Sequence, residues 1–143
     1  MGAERLYTPQ MLSAAVGLAD YPPIDNACLR GCARASTCGS TLDMDIVLDD
    51  DRTIERVGMK VRACAVGQAA AAIFARDAEG RSQSDVQKAH DALEAWLDDE
   101  NAMPDWPGLD LIAPAHAFPA RHGAMLLPWK AALDALSSTG EAR

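Results

Sequence analysis

The stretch TLDMDIVLDDDRTIERVGMKVR, residues 41–62, decides the fold. Over 41–48, Leu42, Met44, Ile46 and Leu48 alternate with Thr41, Asp43, Asp45 and Val47, the period of two that puts one apolar row on one face of a β-strand. Asp49-Asp50-Asp51-Arg52 reads as a polar turn. A second strand is expected over 53–62, with Ile54, Val57, Met59 and Val61 on its apolar side and Gly58 suggesting a bulge. The pair makes an antiparallel hairpin with one buried and one wet face. Two strands alone are marginally stable, so helices must cover the apolar side.

The flanks supply those helices. Thr8-Pro9 is a helix start, a capping oxygen followed by a ring that needs no hydrogen-bond donor at the first helical position. That helix is expected to run to about Ala19, with Met11, Leu12, Ala15, Val16 and Ala19 on its apolar side, and Tyr21-Pro22-Pro23 stops it. Residues 25–40 hold Cys28, Cys32 and Cys38 with no clear period, and read as a loop with at most a short edge strand. After the hairpin, 67–74 (GQAAAAIF) has strong helix propensity, which sets Cys64 at or near a helix N-terminus. Free N–H groups and a partial positive charge at such a position favour thiolate in general. Gly80 is expected to end this helix. Ser82 and Asp85 then form a capping box for the next, whose apolar stripe is Val86, Ala89, Leu93, Trp96 and Leu97. The four prolines of 101–119 mark an irregular connector anchored by Trp106, Leu109, Leu111, Ile112 and Phe118. A last helix is expected over about 120–136, kinked or delayed by Pro128, and Trp96, Trp106 and Trp129 bridge helices and connector.

These elements imply an α+β fold, a small antiparallel sheet of about three strands covered on one face by four to five helices. A length of 143 residues fits a single domain over 1–143 with its core over about 6–136. The core must be packed from small residues, because 28 alanines stand against seven aromatics. The net charge of -8, with 13 scattered Lys and Arg, argues against a nucleic-acid partner. The chain has no apolar run near the ~20 residues of a membrane span and no secretory pattern at MGAERLYTPQ, so no membrane and a cytoplasmic location are expected. G-x-S-x-G, P-loop and H-E-x-x-H motifs are all absent, which points away from an enzyme.

The chemistry lies in the cysteines. Cys38 precedes the first hairpin strand and Cys64 follows the second, and the two ends of an antiparallel hairpin meet. Two thiolates are half of a four-coordinate metal or cluster site. By spacing alone inert burial is the better reading, since cysteine is among the most buried residue types.

Three segments carry a resemblance: TCGS at 37–40, RACAVGQAAA at 62–71 and FPARHGAMLLPWKAAL at 118–133. In order, they resemble the signature segments of the NifU-type iron–sulfur scaffold family, closest to its SufU-like branch, over roughly 6–136. The resemblance implies three cysteines at one end of the domain, often with an aspartate, that assemble a transient cluster or bind zinc. It also implies sulfur delivered by a cysteine desulfurase. Cys38 matches the family's first cysteine and Cys64 its second. Ser40 stands where the family usually has aspartate. Ala124 takes the place of the third cysteine, or Gly123 does if the segments are shifted by one residue. His122 and Cys32 are the candidate replacement ligands, imidazole suiting both zinc and iron. Cys28 and Cys32, four apart, could share one face of a helical turn. His90 and His116 read as surface or internally satisfied residues. The expected function is a scaffold-like protein that holds iron, a labile [2Fe-2S] cluster or zinc through Cys38 and Cys64. Its expected partners are a cysteine desulfurase and Fe–S acceptor proteins, with homo-oligomerisation open. The alternatives are a zinc-dependent sulfur acceptor for a desulfurase and a metal-free adaptor that keeps the fold.

Overall fold

A computed structural model describes residues 6–27, 29–36, 39–99 and 103–137. Cys28 and Cys38 lie outside the described residues. Three strands, β1 (Leu29–Ala35), β2 (Ser40–Leu48) and β3 (Ile54–Arg62), form one antiparallel sheet in that order. The hairpin is the one its alternation predicts, with Leu42, Met44 and Ile46 opposite Val61, Met59 and Val57. Gly58 is not a bulge. It pairs in register with Asp45, and the irregularity falls at Val47/Leu48, beside the polar turn. Gly58 is needed instead because residues 21–24 cross the sheet there: a Cβ at this position would stand 2.1 Å from Pro22 O. Tyr21 O accepts from Met59 N (3.0 Å), and the Asp45 carboxylate accepts from Ile24 N (2.9 Å), so the polar face is partly roofed and Asp45 is buried.

The supposed loop of 25–40 contains a full seven-residue edge strand, β1. Its period is hidden because glycine and alanine occupy its inward face. Gly31 and Ala33, opposite Met44 and Leu42, offer no hydrophobic contrast with Arg30, Cys32 and Arg34. Their smallness has a purpose in packing, since the C-terminal helix lies directly on Gly31.

Four α-helices accompany the sheet among the described residues: α1 (Pro9–Val16), α2 (Ala65–Arg76), α3 (Gln83–Asp99) and α4 (His122–Ser137). Thr8 caps α1 by accepting from Met11 N at 3.0 Å, and a 3-10 turn, Gly17–Asp20, extends it. Ser82 and Asp85 exchange hydrogen bonds of 2.9 and 3.1 Å as the expected capping box of α3. α2 stops at Arg76 rather than Gly80, which lies in the following turn with φ +86°. Two 3-10 segments, Leu109–Ala117 and Pro119–Arg121, organise the connector. Pro128 sits within α4 without ending it. α4 packs across β1 and β2 and also touches α2 and α3, while α1 covers the outer side of α2. Phe74 of α2 stacks on Trp106 (5.2 Å) and meets Trp129 edge-on (5.5 Å), which supplies the volume that the alanines lack. No helix among the described residues is long and apolar enough to cross a membrane.

Candidate functional site

The site is built at the end of the sheet where β2 begins and β3 finishes. Ser40 pairs with Ala35 and Thr41 pairs with Arg62, so the β1–β2 turn and the β3–α2 junction share this edge. Gly39, next to Cys38 in sequence, adopts φ +71°, a left-handed conformation that glycine takes without strain. Its N–H donates to Ala35 O at 2.8 Å, which closes the turn. Ser40, where the resemblance leads one to expect an aspartate, is buried.

Two residues beyond Arg62, Cys64 is the N-cap of α2, in an extended conformation (φ -67°, ψ 174°). This is the helix-terminal position expected from the alanine run. Gln68 holds the junction twice: its N–H donates to Cys64 O (3.0 Å) and its side-chain amide donates to Ala63 O (2.8 Å). The thiol takes no part in capping and is half-buried. A cysteine at a cap whose sulfur makes no capping bond keeps that sulfur available to another ligand.

The first turn of α4 lies against the first turn of α2. A Cβ on Gly67 would stand 2.6 Å from Ala63 Cβ and 3.5 Å from Ala124 Cβ. The tight contact is with Ala63, in the junction that leads into α2, while Ala124 of α4 lies at ordinary van der Waals distance. Ala124, the position where the resemblance leads one to expect a third cysteine, is fully buried at this contact, so a methyl group fills the space beside the Cys64 turn.

His122 opens α4, two residues before Ala124. Its Nε2 lies 2.7 Å from His116 O, and since a carbonyl only accepts, Nε2 carries the proton and Nδ1 is the free lone pair of the neutral ring. Metal-binding histidines are characteristically oriented this way, the second nitrogen donating to a carbonyl. His116 is fixed in turn, with its Nε2 2.9 Å from Trp96 O and its ring 4.6 Å from the Trp96 ring. His116 is thus an internally satisfied residue, one of the two settings expected for it, and its backbone oxygen orients His122, a role with no signal in the sequence.

Cys32 stands elsewhere. It is exposed on the polar face of the sheet, paired with Asp43, which pairs in turn with Lys60, two rungs before the Thr41–Arg62 rung. Its backbone N–H donates to Asp134 Oδ2 (2.9 Å), which closes the β1 edge against α4. Among the described residues, Cys32, Cys64 and His122 do not gather into a set of three ligands. His90 lies apart from the described cysteines, with its Nδ1 3.0 Å from Asp91 Oδ1.

No family model matches this chain, and no curated protein is similar to it. Solved structures do match. An N-terminal NifU-like protein from Brucella abortus superposes with a TM-score of 0.89 at 22% identity, covering 100% of both chains. The chain has the NifU-like fold. A candidate iron–sulfur cluster assembly scaffold for the SUF system from thermophilic Fervidobacterium islandicum AW-1 matches with a TM-score of 0.76 at 18% identity, over 92% of this chain and 96% of that one. A hypothetical protein matches at 0.66 and 16% identity, over 89% of this chain and 96% of its own. At these identities the likeness establishes the three-stranded sheet and its helices.

Proposed function

We propose that this protein is an iron–sulfur cluster assembly scaffold whose cargo is held by Cys38 and Cys64, with Nδ1 of His122 as a further ligand. One observation carries this reading. The Gly67–Ala124 contact joins the Cys64 cap and the first turn of α4 at the end of the sheet where β2 begins, and Cys38 precedes β2 by two residues in sequence. Two soft thiolates and one imidazole suit iron, a labile [2Fe-2S] cluster or zinc, and leave a coordination position open for exchange. The protein then acts by coordination and hand-over, receiving sulfur from a cysteine desulfurase and passing the product to an acceptor protein. The scaffold description of the similar Fervidobacterium protein supports this.

The buried methyl of Ala124 favours a second reading, a metal-free adaptor that keeps the fold. Anaerobic reconstitution with iron and sulfide, followed by visible absorption and metal analysis, separates the two. A scaffold gains a chromophore and bound iron, or binds zinc in its place, and the paired substitution Cys38→Ala plus Cys64→Ala abolishes both. Equal absence of iron and zinc in the native and doubly substituted proteins rejects the ligand assignment and leaves the adaptor.

A further inference from the structure

A second group of ligand-type side chains lies on α3. His90, Asp91 and Glu94 bring one imidazole nitrogen and two carboxylate oxygens within 4.8 Å of one another, the one such trio among the described residues. His90 and Glu94 are four residues apart and therefore stacked on one face of the helix. The His90 side chain is only 12% exposed, so packing holds the imidazole while the carboxylates of Asp91 and Glu94 reach solvent. Gln87 Nε2 donates to Asp91 Oδ1 at 2.9 Å, an outer contact that fixes the carboxylate. α3 carries five carboxylates against one lysine, so the local field attracts cations.

We propose that His90, Asp91 and Glu94 form a binding site for a divalent first-row transition ion such as zinc, nickel or cobalt. One nitrogen and two oxygens suit these ions better than magnesium or calcium, which favour all-oxygen shells. Ligand atoms bound tetrahedrally to zinc lie about 3.5 Å apart, a contraction that the exposed Glu94 side chain accommodates by rotation. Water completes the shell. The site is independent of the cysteines and adds a metal-binding face of different chemistry to the same small protein.

Cobalt(II) titration of the full chain tests this, because thiolate coordination gives strong near-ultraviolet charge-transfer absorption and a nitrogen–oxygen site gives only weak visible bands. The expected result is one equivalent without the thiolate signature that survives Cys64→Ser. It weakens about tenfold or more, a loss of ~1.4 kcal/mol, in His90→Gln and in Glu94→Gln. Glu94 is exposed, so its substitution leaves the fold intact. Equal cobalt affinity in the native protein and Glu94→Gln overturns the proposal, whatever the cysteine site does.

Discussion

Replacing Gly31 with alanine puts the β1–α4 contact to a quantitative test. The new Cβ would stand 2.2 Å from Ala135 N, 2.7 Å from Ala131 O and 2.8 Å from Ala135 Cα. All three are helix backbone, so no side-chain rotation relieves them, and comfortable contact requires α4 to withdraw by about 1 Å or more. Withdrawal loosens the fully buried Ala131, Ala132 and Ala135 and stretches the 2.9 Å bond from Cys32 N to Asp134. Overpacking against a rigid element costs about 3 kcal/mol. The lower chain entropy of unfolded alanine offsets up to ~1 kcal/mol of this. The net loss is about 2 kcal/mol, equivalent to a fall in Tm of roughly 7 °C for a chain of this length. Urea unfolding followed by far-ultraviolet circular dichroism measures it, with an unchanged m-value as evidence that the same surface is being exposed. A loss under about 0.5 kcal/mol would show that α4 does not rest on Gly31 and refute the close-approach argument.

Trp106→Phe is expected to destabilise more than Trp129→Phe, although both rings are buried. Trp106 Nε1 donates to Ile73 O in the last turn of α2 (3.1 Å), whereas Trp129 Nε1 has no partner among the described residues, so the difference is about 1 kcal/mol; equal losses in paired denaturation curves would contradict it. Stability is also expected to fall as pH drops from 5 to 3, with Asp49→Asn flattening the slope. A hydrogen bond from the Thr53 hydroxyl (2.6 Å), joined by the N–H groups of Thr53 and Asp51, holds the Asp49 carboxyl below the ordinary aspartate value. Because the folded-state value is the lower one, this contribution is present above the unfolded carboxyl's pKa and is lost as pH falls through the folded one. Identical pH slopes for the native and Asp49→Asn proteins would exclude Asp49 as a source.

Much of the fold is written in local pattern. The alternation in 41–62 specifies a hairpin because burying one face of a strand demands period two, and the Thr8-Pro9 and Ser82–Asp85 signals mark helix starts because each satisfies orphan N–H groups. β1 escaped this reading because residues chosen for closeness to a helix carry no hydrophobic signal. Gly58 misled for the same reason, since a glycine excused by a crossing segment looks like one that serves a bulge. Within the candidate site, the helix-terminal setting of Cys64 was legible from the alanine run. The orientation of His122 was not, because its partner is a backbone carbonyl six residues earlier, which any residue could supply.

By itself, then, the sequence determined the hairpin, the helix starts, the thiol at the head of α2 and the absence of a third thiol near Ala124, all properties of neighbours along the chain. Only the tertiary structure decided which of these share a place. It set Cys32 on the polar face of the sheet, turned the His122 ring by its bond to His116 O, and pressed Ala124 against Gly67 beside the Cys64 turn. The physical reason is that strand register and helix contact distance are set by packing across the whole core, where one missing Cβ determines how closely two backbones can approach.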